Sequence, residues 1–159
     1  MSVLKIVTEQ YVNPDALEKV IDYVFRNAKL IGGLQVDPYH AAEQMHLCKE
    51  LWFQNSGKQL RQFVVCFNES ESKQIHSEAS LEYGAYQACE FYSDEYQIVF
   101  GIHRNSHTNN NWHIHFVVNN VSFRTGKRLR ENNRHDLELR QYLQSCCLFP
   151  TSYMEVCYN

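Results

Sequence analysis

Glycine and proline are scarce, at six and three of 159 residues. No Pro/Gly-rich linker, internal repeat or low-complexity tract divides the chain, so one domain over 1–159 is expected, in a full, minimal or truncated version. No apolar run approaches the roughly 18 residues that a membrane span needs. The opening MSVLKIVTEQ turns polar too soon for a signal peptide. The six cysteines (Cys48, Cys66, Cys89, Cys146, Cys147, Cys157) show no CxxC spacing. They read as reduced, buried thiols of a cytoplasmic protein rather than a disulfide framework. An excess of positive charge is missing too: the formal net charge is −3, which argues against a generally adhesive nucleic-acid binder. What is present is core-forming material, with 44% hydrophobic and 13% aromatic residues, the composition of a folded globule.

The charge is uneven. Residues 1–100 hold eight Lys/Arg against fourteen Asp/Glu, whereas 101–159 hold seven against four. Six of those seven cations fall between Arg124 and Arg140. They are either a local basic patch or the solvated face of a hairpin and helix.

Periodicity predicts a short strand at 3–8, then Asn13-Pro14 as an N-cap and first-turn proline for a helix over 14–28, carried by Leu17, Val20, Ile21, Val24 and Ala28. Gly32-Gly33 reads as a loop, and Asp37-Pro38 as the start of a second helix to about 53. Strands are expected at 60–68, 96–103, 113–121 and near 153–157. Helices are expected at 71–91 and 135–146, and RTGK (124–127) is a turn after which RLR pairs back. From residue 60 the order is β-α-β-β-α-β, the ferredoxin-like arrangement of an antiparallel sheet with helices packed on one face.

Within this frame NWHIHFVVNN (111–120) stands out. Strand alternation puts His113, His115, Val117 and Asn119 on one face, and Ile114, Phe116 and Val118 on the other. The apolar set belongs under the helices, which leaves the histidines on the open face. An antiparallel neighbour at 96–103 brings His103 alongside, with Gly101 leaving room above the sheet. Three neutral imidazoles are a familiar ligand set for zinc, manganese or another divalent ion. The alternative is a group of partly exposed strand histidines with no ligand. His107 rivals His103 as the third member.

The stretch IVFGIH…NNWHIHFVVNNVSFRTGKRL resembles the third motif of plasmid mobilisation relaxases of the MobA/MobL type: a hydrophobic strand ending in His, a polar loop, then HxHFVxNxVxxxxGK. These are HUH endonucleases, and Ile114 takes the hydrophobic slot. IDYVFRNAK (21–29) resembles the family's nucleophile segment, and GKQLRQFVVCF (57–67) its strand leading into the first ferredoxin-like helix. The departures are nine residues between His103 and His113, Asn105 where an acidic residue is frequent, and Gln62 where a histidine is frequent.

The resemblance implies an α+β, ferredoxin-like HUH endonuclease fold. It also implies site- and strand-specific nicking of single-stranded DNA at a plasmid or mobile-element transfer origin, in conjugative mobilisation. Tyr23 becomes the catalytic nucleophile, with Tyr11 and Tyr39 next. On a helical projection Tyr23 lies roughly 120° from the apolar stripe, as a surface nucleophile or an ordinary boundary tyrosine does. His103, His113 and His115 become ligands of a divalent ion, magnesium or manganese first and zinc second. Arg124, Lys127, Arg128 and Arg130 become phosphate contacts. Trp112 would stack on a base or pack against the loop. The expected partners are origin DNA and accessory relaxosome proteins, in the cytoplasm of a bacterium. A replication initiator or transposase of the same chemistry is the first alternative, and a non-catalytic DNA-binding remnant the second. A cupin-like metal protein is disfavoured because Asn119 stands where that pattern wants an acid. No helicase or primase signature appears.

Overall fold

The computed structural model describes residues 2–146 and 154–159; Cys147 and the first residue of the last expected strand lie outside them. Six strands form one sheet: β1 (Val3–Ile6), β2 (Leu30–Leu34), β3 (Leu60–Cys66), β4 (Ile98–Arg104), β5 (Trp112–Asn119) and β6 (Glu155–Tyr158). Their order is β2-β4-β5-β3-β1-β6, antiparallel except for the β1–β6 pair. The ferredoxin-like core β3, β4, β5 and β6 is therefore extended twice. β1 slots between β3 and β6, and β2 adds an edge beside β4.

The helices are α1 (Ala16–Phe25), α2 (Ala41–Leu51), α3 (Glu69–Gln74), α4 (Glu78–Cys89) and α5 (Asn133–Ser145). α4 and α5 cover the face carrying Phe63, Ile98, Phe100, Ile114, Phe116 and Val118, as the β-α-β-β-α-β order requires. The expectation of an open histidine face holds only in part. α1 and α2 lie on that face and bury Leu17, Ile21, Val24 and Met45 against Leu60, Val99 and Val117. Val99 and Val117 are apolar on the histidine side, and covering them removes that surface from water.

Three local expectations change. Gly32-Gly33 is not a loop but the middle of edge strand β2, paired with Phe100 and Val99. A Cβ at Gly32 would run into the Phe100 ring and the Tyr86 hydroxyl, so the glycine marks a close approach rather than a turn. The single helix over 71–91 is two. An Asn68–Glu71 capping box starts α3, and Ser77 caps α4 by accepting from the Ser80 amide at 3.2 Å. α1 begins at Ala16, after a turn in which the Asn13 carbonyl accepts from the Ala16 amide at 3.0 Å.

α2 is pinned to the end of β5 by polar groups. Lys49, with no exposed surface, donates to the Asn119 side-chain oxygen. The Asn119 amide nitrogen donates to the Met45 carbonyl at 3.2 Å and to Gln97 Oε1 at 3.0 Å. Burial drives the Lys49 pKa down to about 7.

Candidate active site

The register of β4 against β5 sets His103 opposite His113 and Gly101 opposite His115. All three imidazoles then fall on one face, with ring centroids 5.3 Å (103–113), 4.9 Å (103–115) and 5.1 Å (113–115) apart. Above them α1 crosses the sheet and brings the Tyr23 ring edge-on to His115 at 5.7 Å. Tyr23 is 61% exposed although its ring meets a buried histidine. It lines a cleft of about 990 Å³ together with Tyr11, Gln62, His107, His113 and His115. Of the other two tyrosine candidates, Tyr39 lies at the turn before α2, away from this cleft. Tyr11 lies in it, but its hydroxyl donates to Gln62 Oε1 at 2.7 Å, and burial, with Glu9 and Tyr23 adding to it, pushes its pKa up to about 12.

Burial, reinforced by His113, His103 and Lys5, pushes the His115 pKa down to about 3. Burial also lowers that of His113. Both rings are therefore neutral at pH 7, the form that ligates a metal. Their spacing suits a shared ion too. Three imidazoles bound at about 2.0–2.1 Å would place their centroids about 5 Å apart. The aim of the donors is less uniform. His103 Nε2 bonds the Val24 carbonyl at 2.6 Å, and His115 Nδ1 lies 3.5 Å from Gln62 Nε2. Among the described residues no three His, Cys, Asp or Glu side chains converge as a ready-made metal site. The ring set fits a divalent ion in chemistry and spacing: a His103 that donates its Nε2–H to the Val24 carbonyl keeps Nδ1 as its ligating nitrogen. With the Gln62 amide turned over, its oxygen would accept from His115 Nδ1–H and leave Nε2 free as a donor to the ion. His107, on the short turn Ser106–Thr108 of the β4–β5 loop, reaches the cleft and remains an alternative third nitrogen.

The remaining sequence candidates lie elsewhere. Trp112 starts β5 on the opposite face from His113 and is only 5% exposed. It joins the α4/α5-side core with the Arg104 guanidinium 4.9 Å above its ring, which favours packing over base stacking. Arg124, Lys127, Arg128 and Arg130 follow the far end of β5, beyond Asn119. Arg124, Lys127 and Arg130 are exposed, but the Arg128 guanidinium is occupied by Gln54, Ser56 and Lys58. Two cleft cations were not singled out from sequence, Lys5 and Lys19. Lys5 was legible in principle: Leu4 and Ile6 are core residues, so strand alternation turns Lys5 to the histidine side.

The six-stranded, mostly antiparallel sheet and its packed helices have the arrangement of the HUH-type nuclease fold. The family model "Relaxase: MobA/VirD2-like, nuclease domain" matches residues 23–148, and the chain belongs to that family. Searches among curated proteins and among solved structures found no match.

Proposed function

We propose that this relaxase nuclease domain nicks single-stranded DNA at a transfer origin by tyrosine transesterification, with Tyr23 as nucleophile. The observation that carries the reading is the edge contact between Tyr23 and His115 inside the cleft. Tyr23 Oη attacks the scissile phosphorus and loses its proton to solvent. The bond from phosphorus to the 3′ oxygen breaks, and that oxygen takes up a proton as the 3′-hydroxyl. The protein is left joined to the 5′ phosphate, and the reverse attack by a 3′-hydroxyl rejoins the strand.

His103, His113 and His115 would hold a divalent ion, which when bound neutralises negative charge on the scissile phosphate. Lys5 and Lys19 supply cationic surface along the cleft, where Lys19 is shared with Asp15 at 2.9 Å. α1 holds the Tyr23 ring over the imidazoles, and the Tyr11–Gln62 hydrogen bond orients the amide that faces His115. Origin DNA and relaxosome proteins are the partners this reading requires, and a bacterial cytoplasm the compartment.

The test is incubation with labelled single-stranded origin DNA and Mn²⁺, followed by a denaturing gel. The unaltered protein gives a slower protein–DNA band. Tyr23→Phe gives none while still binding the DNA, because a phenyl ring has no oxygen to attack with. A band that survives in Tyr23→Phe and vanishes in Tyr11→Phe would move the nucleophile to Tyr11. A protein that binds its origin and Mn²⁺ yet never forms the band would be a non-catalytic binder.

A further inference from the structure

At the far end of β5 from the histidines, the C-terminal end of α2 exposes an apolar group that the catalytic reading does not use. Leu47 is 52%, Leu51 69%, Trp52 40% and Phe53 93% exposed. Single exposed apolar side chains are ordinary, but four of them within residues 47–53 give this helix end the apolar character of an interaction surface. This group is also held in place. The Trp52 indole nitrogen donates to the Phe123 carbonyl at 3.2 Å, and its ring lies against Gly126, where a Cβ would collide with it. Phe53 has φ +56°, a left-handed conformation that an aromatic residue adopts only at a cost. The chain thus turns a phenyl ring into solvent by a strained backbone.

The surface that Trp52 leans on is the basic hairpin. Segment 121–130 contains Arg124, Lys127, Arg128 and Arg130 and no carboxylate. Arg124 and Lys127, each within two residues of Gly126, are exposed and enter no ion pair among the described residues. Glu50 is the lone carboxylate of segment 47–58. Flat aromatic faces beside unpaired cations, on a chain that is otherwise net acidic, match the chemistry of single-stranded nucleic acid: bases to stack and phosphates to pair.

We infer that Trp52 and Phe53, flanked by Arg124 and Lys127, form a stacking platform for single-stranded DNA outside the cleavage cleft. The inference rests on the nuclease reading of the cleft and adds to it a second anchoring point on the same strand. From His113 to Asn119 β5 spans about 20 Å at 3.3 Å per residue, and the platform lies beyond Asn119. Several nucleotides separate the scissile phosphate from the stacked bases, so short oligonucleotides cannot occupy both.

The test compares origin oligonucleotides of about 4 nucleotides, too short to reach from the cleft to the platform, and about 30 nucleotides, well above the minimum site size of a single-strand binding groove. Phe53→Asn keeps a residue that tolerates left-handed backbone, so folding is not at risk. It should weaken binding of the longer strand roughly tenfold and leave that of the shorter one unchanged. Arg124→Ala with Lys127→Ala should reduce the salt dependence for the longer strand by about 1.4 in log–log slope. In a Trp112→Phe background Trp52 is the sole tryptophan, and oligo(dT) of the longer length should quench its emission. Equal loss for both lengths, unchanged affinity, or binding without quenching would overturn the platform. So would a concentration-dependent self-association that Phe53→Asn abolishes with no effect on DNA, since the patch would then meet a second copy. Covalent adduct formation on the short strand is scored in parallel. Its absence would count against the nuclease reading, whereas its presence with unchanged long-strand affinity would count against the platform alone.

Discussion

His103 Nε2 and the Val24 carbonyl oxygen are 2.6 Å apart, and this bond ties the end of β4 to α1 one residue beyond Tyr23. The sheet that carries the histidines and the helix that carries the nucleophile candidate are thus one mechanical unit. Gly101, two residues before His103 on the same face, completes the seat. A Cβ there would collide with the Val24 carbonyl and press on its side chain at 3.1 Å.

Gly101→Ala therefore lifts α1 from the sheet. Overpacking of this kind costs about 1–3 kcal/mol, read as a lower urea midpoint. The Tyr23 hydroxyl moves with the helix, so single-turnover adduct formation should fall by at least tenfold while DNA affinity changes little, since a small misplacement of a reacting group is expensive. An unchanged rate at reduced stability would show that the seat of α1 does not set the nucleophile.

Calorimetric titration with Mn²⁺ identifies the ligands. His113→Ala and His115→Ala should abolish binding, and His103→Ala should do the same while His107→Ala leaves it intact. Gln62→Leu should weaken binding about 10–100-fold, the usual effect of losing a group that orients a ligating imidazole. The reverse pattern, with His107 required and His103 dispensable, would reassign the third nitrogen and leave His103 as the tie to α1.

Arg128 and Lys127 are neighbours with different work. Arg128→Ala removes a guanidinium that holds the carbonyls of Gln54, Ser56 and Lys58, and should cost about 2 kcal/mol of stability. Lys127→Ala should leave stability within about 0.5 kcal/mol and flatten the salt dependence of DNA binding by about 0.7. Equal effects of the two substitutions on both measurements would contradict this division.

Lys49 gives stability a pH dependence. Its folded pKa of about 7 lies below the ordinary 10.5, so between these values the unfolded chain binds more protons than the folded one. Stability should then climb as pH rises from about 7 to 10.5, and the cost of charging the buried amine should be fully present below 7. Chemical denaturation across this window should show a slope that Lys49→Met removes, a difference on the order of a few kcal/mol between its ends. Parallel profiles for the two proteins would place the Lys49 charge in a better-solvated setting.

The alternation of Ile114, Phe116 and Val118 against His113 and His115 was legible in the residues themselves. So was the pairing that brings His103 alongside, because a two-residue side-chain period and an antiparallel neighbour leave little freedom. The position of Tyr23 off the apolar stripe of α1 follows equally from the helical period. Other features depended on contacts between distant segments. Gly32-Gly33 reads as a loop until the Phe100 ring and the Tyr86 hydroxyl occupy the space above Gly32. Arg128 reads as a phosphate contact until a loop 70 residues away takes its guanidinium. Which face α1 covers, and so whether Tyr23 meets His115, was decided by Val99, Val117 and Gly101 together. Local sequence sets the period of each element, but the surface each one meets is chosen by apolar area and close approach across the whole chain.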